Sequence, residues 1–189
     1  RTIVADSGAV KIVGEDGILV SGTFGMGAHI EPTGMGTRFF FNPRRAAFRS
    51  GYVDGQQWDT TNTGLYSTAI CIATEASGES SFAAGAFTVS SGLSSTAIGS
   101  GTSEAIGNFS HAMGYHNSAS GNNATSFGKD TKAIGIASTA SGNFSRANGN
   151  YAASFGTGVA NAIGSSVFGY NTKANGLYST SVGHINDSI

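Results

Sequence analysis

The stretch GNFSRANGNYAASFG, residues 142–156, places glycine at 142, 149 and 156. A seven-residue spacing marks a coiled coil when apolar side chains occupy it. Here the recurring residue is glycine, which costs a helix ~1 kcal/mol at each occurrence, and the serines and asparagines between are weak helix formers. The period therefore belongs to strands of four or five residues separated by glycine turns, where a positive backbone angle or a close approach gives the missing side chain a use.

The same frame extends in both directions. From Gly64 it reads GLYSTAI, CIATEAS, GESSFAA, GAFTVSS, GLSSTAI, an eight-residue GSGTSEAI, GNFSHAM, GYHNSAS, GNNATSF, GKDTKAI and GIASTAS. Past Phe155 come an eight-residue GTGVANAI, a five-residue GSSVF, then GYNTKAN, GLYSTSV and GHINDSI. Cys71 interrupts the glycine column. The odd-length segments predict bulges or altered turns near 99–107 and 156–169.

Strand alternation sorts each heptad by face. The fourth residue is mostly Ser, Thr or Ala and the sixth mostly Ala, as at Ala69, Ala83, Ala97, Ala112 and Ala140. These two positions share a face and predict an interior so thin that two strand layers nearly touch. The seventh position doubles the period. Alternate heptads carry Ile70, Ala84, Ile98, Met113, Phe127, Ser141, Phe155, Phe168 and Val182, whereas those between carry Ser77, Ser91, Ile106, Ser120, Ile134, Asn148, Ile163 and Asn175. One coil is thus fourteen residues with one oily and one largely polar outer face, the polar one also bearing Glu75, Lys132, Arg146 and Lys173. Stacked coils make an all-β, flattened parallel β-roll, a solenoid of about eight and a half coils between Gly64 and Gly183, roughly 40 Å long at the ~4.8 Å spacing of strands.

Such a roll predicts self-association. Ordering one residue's backbone costs ~1–2 kcal/mol, while a buried methylene returns only ~0.8 kcal/mol. An interior of alanine and serine supplies few methylenes, and a wet ladder of Ile, Met and Phe is the kind of strip that marks an interaction site. Copies of the chain packed on that ladder would bury it; the pattern is compatible with three copies or with two. The expected interface is Ile70, Ala84, Ile98, Met113, Phe127, Phe155, Phe168 and Val182.

The repeats SSTAIGS (94–100), FSHAMGYHNSASG (109–121) and TKAIGIASTASG (131–142) resemble the Hep/Hag repeats of YadA-like head domains in trimeric autotransporter adhesins. The resemblance runs from about 64 to 183. It implies a left-handed parallel β-roll, a homotrimer with intertwined or side-by-side chains, an extracellular position on a bacterial surface with the outer-membrane anchor in regions outside this chain, and attachment to host matrix, cells or glycans. A phage or prophage tail fibre that binds a receptor is the alternative owner of the same rod.

Residues 1–63 differ in kind and are expected to form a β-rich capping region before the repeat head of 64–189. AVKIVGEDGILVSGTFG (9–25) reads as two short β-runs around a turn at Glu15-Asp16-Gly17. GTRFFFNPRRAAFRSGYVDGQQWD (36–59) holds the only tryptophan and is similar to segments that precede such repeats in long bacterial surface or phage fibre proteins. A solenoid needs its end strand covered, and capping is one role for this stretch. Another is a ligand surface of Arg44, Arg45, Arg49, Tyr52 and Trp58, residue types favoured at binding hot spots; a third pairs the arginines with Asp54 and Asp59.

Composition narrows the functions. Among 189 residues only 11% are charged and the net charge is −1, without the basic excess of a nucleic-acid binder. No apolar run is long enough to span a membrane, so the chain is expected not to insert itself. RTIVADSG at the start lacks the apolar core of a signal peptide and reads as the opening of a fragment or mature segment. A single cysteine excludes an internal disulfide framework and a multi-cysteine zinc site. His111 and His116 invite a metal reading, but no carboxylate or cysteine completes a set in the repeat grid, and the aspartates of calcium-binding repeats are missing. No cofactor and no metal are expected. The carboxylates Glu75, Glu79, Glu104, Asp130 and Asp187 are too scattered for acid–base cleavage of a polysaccharide, so no enzyme and no catalytic residue are expected. Thr68, Thr96, Thr125, Thr139 and Thr180 recur on one face as in ice-binding solenoids, yet they alternate with Ile, Phe and Val on the strip expected to be covered.

Overall fold

The computed structural model describes residues 19–27 and 34–184, with the backbone of 187–188. The turn expected at Glu15-Asp16-Gly17 lies outside these residues; 19–27 form a turn and extended chain without a strand. From Gly36 onward the described residues build two sheets. One is 11-stranded and one 9-stranded, and within the roll each strand pairs in parallel with its counterpart one coil later. Thr125–Lys129, for example, pairs with His111–Tyr115 on one side and Thr139–Asn143 on the other. The fold is the β-solenoid of fourteen-residue coils that the repeat predicts.

The two heptads of a coil are not equal strands. One forms a strand of five residues, as at Thr68–Ile72 or Thr125–Lys129, the other a strand of two, as at Glu75–Ala76 or Lys132–Ala133. The difference lies in the two glycines. Gly128 sits inside a long strand at φ +125, which keeps the chain running straight, and a Cβ there would collide with the carbonyl oxygen of Gly142 in the next coil. Gly78 has no such backbone angle and is required by close approach alone, since a Cβ would strike the carbonyl oxygen of Gly92. At Gly78 the chain turns at once: its carbonyl accepts from the Ser81 amide at 3.3 Å and from Ser81 Oγ at 2.7 Å. At most corners the left-handed residue is not the column glycine, as expected from sequence, but the residue two places later. Tyr66, Phe87, Phe109, Phe144 and Tyr151 all hold φ between +56 and +59. These corners carry a backbone strain that glycine at the same place would have avoided.

The interior is as thin as the alternation requires. Ala69, Ala83, Ala97, Ala112, Ala119, Ala133, Ala140 and Ala147 are fully buried, as are Ser67, Thr88, Ser126 and Thr131. Hydroxyls meet across it: Ser126 Oγ lies 2.6 Å from Thr131 Oγ1, and Ser145 Oγ 2.8 Å from Ser154 Oγ.

Both predicted irregularities are present. Ile98 pairs with Met113 and Glu104 with Ser118, so the coil ahead of them is one residue longer, the extra residue being Gly101 at the corner. Around 156–169 the register shortens by one: Phe155 pairs with Phe168 and Arg146 with Val159. No left-handed residue stands between Gly156 and Val159, whereas Phe144 fills that place one coil earlier. Here the sequence frame needs a correction. Ala162, not Gly164, aligns with Gly149, and Gly164 (φ +66) takes the left-handed corner place. Asn161 rather than Ile163 then occupies the outer seventh position, where Asn148 Nδ2 donates to Asn161 Oδ1 and Asn161 Nδ2 to Asn175 Oδ1, each at 2.7 Å.

Before the roll, β1 (Gly36–Asn42) and β2 (Ala47–Val53) form an antiparallel hairpin whose second strand pairs in parallel with Thr68–Ile72. The hairpin thus continues the long sheet past the first coil. Behind it Trp58 packs with Val53, Ala69, Ala76, Ala83 and Phe40 over the open end of the interior, its indole Nε1 donating to the Thr74 carbonyl at 2.8 Å.

Candidate functional site

Parallel pairing with matched register converts the seventh position of the long strands into one continuous row. Ile70, Ala84, Ile98, Met113, Phe127, Ser141, Phe155, Phe168 and Val182 are each paired with the next. Side chains at successive rungs are held about 4.8 Å apart, so their apolar surfaces merge. The Phe155 and Phe168 rings stack at 5.2 Å with an 8° interplanar angle. In the single chain Phe127 is 54% exposed and Val182 65%. A second row beside it runs Thr68, Phe82, Thr96, His111, Thr125, Thr139 and Ala153. His111 therefore stands on this face among threonines, while His116 stands at a corner, its Nδ1 3.5 Å from Asp130 Oδ1.

The five residues considered as a ligand surface do not share one. Arg49 is 0% exposed and Trp58 3%. Arg49 sits on β2 opposite Ala69, in the column that holds alanine throughout the neighbouring coils, so its side chain enters the roll. There Nη1 donates to the carbonyls of Phe48 (2.8 Å) and Ser67 (3.0 Å), and Nη2 to Ser67 Oγ (2.9 Å) and the Ala76 carbonyl (3.0 Å). Burial lowers its pKa to about 10, with Arg45 acting in the same direction and Glu75 against it; at neutral pH it remains a cation held by carbonyls. Arg44 and Arg45 are half-buried and donate to the carbonyls of Gly27 and Thr63, both at 2.7 Å. Asp54 and Asp59 accept instead from Gln57 Nε2 (2.6 Å) and the Gly34 amide (3.0 Å). Tyr52, 41% exposed, is the member left on the surface. The cluster is a plug for the mouth of the roll: burial and carbonyl pairing remove Arg49 and Trp58 from any outer surface.

Two features escape the heptad reading. Large side chains occupy the corner that leads from short to long strands: Tyr66, Phe109, Tyr151 and Tyr178 at the left-handed place, with Leu93, Ile136 and Leu177 one residue earlier, all exposed except half-buried neighbours such as Leu65. The second and third heptad positions carried this signal, masked by the expectation that glycine makes the turn. The other is a recess of about 320 Å³ beside the enlarged corner, lined by Thr102, Glu104, His116, Asn117, Ser118, Asp130 and Lys132.

The YadA head domain repeat matches the chain at residues 76–102, 105–131 and 160–184. The first two segments each cover about two coils, and the break between them falls at the enlarged corner. The roll is thus similar to a YadA head domain, and the matched repeats suggest an adhesin-like module of the trimeric autotransporter kind. No curated protein matches the chain. Among the described residues no helix is long and apolar enough to cross a membrane.

Proposed function

We propose that this chain is the rigid head of a homotrimeric adhesin displayed on a bacterial surface, anchored through regions outside the chain, and that it attaches the cell to host matrix, other cells or glycans. The reading rests on one observation, the row from Ile70 to Val182 on the long sheet, apolar at every rung but Ser141. A chain whose interior is alanine and serine gains little from folding alone; covering that row with sister chains turns three wet strips into a shared core. The YadA-like repeats support the number three. The short sheet and the corners then face outward and present the attachment surface, with Arg44 and Tyr52 near the capped end.

The experiment is sedimentation equilibrium of the intact chain, paired with adhesion of coated beads to matrix proteins and cultured cells. A trimeric mass and retention of beads on at least one of these surfaces are expected. A well-folded monomer would end the reading.

A further inference from the structure

We propose that the recess at the enlarged corner is a binding site for a neutral saccharide, an inference that rests on reading the domain as an attachment head and names its ligand class. The site exists because of one inserted residue. Gly101 and Thr102 are successive left-handed residues, at φ +68 and +57, where the corresponding corners on either side hold one each, Phe87 and His116. A Cβ at Gly101 would collide with the His116 ring and crowd that of Tyr115, so the two rings, stacked at 4.1 Å and 20°, pack over glycine alone. The widened corner opens a cavity of about 320 Å³, within the size range of small-ligand sites.

Its wall is a grid set by the coil spacing. The corner row is Thr102, His116 and Asp130; the short-strand row is Glu104, Ser118 and Lys132, paired in parallel register. At steps of about 4.8 Å the corner row sets a hydroxyl, an imidazole and a carboxylate, and the short-strand row a carboxylate, a hydroxyl and an ammonium, a pattern of acceptors and donors suited to the vicinal hydroxyls of a pyranose. Two carboxylates against one ammonium disfavour an anionic sugar. The floor is rigid: Asn117 is fully buried, donates to the Met113 and Gly128 carbonyls, and accepts from Thr131 N and Oγ1. His116, exposed and backed by the Tyr115 ring, offers ring surface in the recess for the apolar face of the sugar. The recess opens on the side of the short sheet, away from the Ile70–Val182 row, so assembly leaves it accessible and would present several copies together.

The test titrates the assembled wild-type protein with lactose, N-acetylglucosamine and maltotriose, reading amide shifts by NMR, with 3′-sialyllactose as the anionic probe. Saturable millimolar binding to at least one neutral probe is expected, with shifts confined to residues 99–104, 115–118 and 129–132. Asp130→Asn and Glu104→Gln, at unchanged melting temperature and mass, should each weaken it at least fivefold. No saturable shift with any neutral probe at tens of millimolar, tighter binding of 3′-sialyllactose than of lactose, or indifference to both substitutions would overturn the inference. That failure is distinct from failure of the adhesin reading: coated beads would still hold to cells or matrix, whereas the broader reading fails when the assembled protein holds to neither.

Discussion

The long and short sheets of the roll share every interior column yet present different outer faces. Inside, both contribute alanine and hydroxyls and pair in parallel every coil. Outside, the long sheet carries Ile98, Met113, Phe127, Phe155 and Phe168 in one row, while the short sheet carries Ser120, Asn148, Asn161 and Asn175 with Lys132 and Arg146 beside them. A five-residue strand such as Thr125–Lys129 displays Thr125, Phe127 and Lys129 in sheet register; a two-residue strand displays one side chain before the chain turns at its glycine. The interior is what any coil needs in order to stack. The exterior is where the two sheets part, one face largely apolar and the other largely polar.

The comparison can be broken most severely at its shared backbone. Gly128→Ala should destabilise the fold by roughly 3 kcal/mol or more, because the side chain meets both a forbidden backbone angle and the Gly142 carbonyl; thermal unfolding followed by circular dichroism measures it. A melting temperature within a few degrees of wild type would show that the column tolerates a side chain.

The outer faces are separated by a pair of substitutions. Phe127→Asp puts a charge into the proposed shared core and should abolish the trimer in sedimentation and lower the melting temperature with it. Arg146→Ala, on the exposed short sheet, should stay within about 0.5 kcal/mol and leave the mass unchanged. A Phe127→Asp protein with the wild-type mass and melting temperature would remove the distinction between the faces.

At the mouth of the roll, Arg49→Ala withdraws four donated hydrogen bonds and the volume of a buried side chain. A loss of about 2–4 kcal/mol is expected in denaturant titration. An unchanged midpoint would mean that the plug contributes nothing to the first coil. The smallest effect has the opposite sign. Cys71 stands in the long-sheet glycine column at φ +89, between Gly51 and Gly85. Cys71→Gly should therefore stabilise by up to about 1 kcal/mol, relief of strain outweighing the extra freedom of the unfolded chain, and differential scanning calorimetry resolves the shift.

Much of this architecture is legible in one dimension because a solenoid's contacts repeat at a constant sequence offset. Ala97, Ala112 and Ala140 announce the interior, and Ile98, Phe127 and Phe168 announce the outer row, since alternation and register follow from the period alone. The recess is legible only as an extra residue in GSGTSEAI; the juxtaposition of Glu104, His116 and Asp130 needs the coils stacked.

Period fourteen by itself determined the roll, its thin core and its unlike faces, because neighbours in space are neighbours one repeat away. Tertiary structure alone decided the rest. It assigned glycine to strands and close approaches while Tyr66 and Phe109 took the left-handed corners, it moved the frame past Gly156 so that Asn161 joined the asparagine ladder, and it drew Arg49 and Trp58 inside. The physical reason is common to all three: each depends on which backbone atoms of another coil, or of the hairpin, lie within a few ångströms, and a linear pattern carries no such distance.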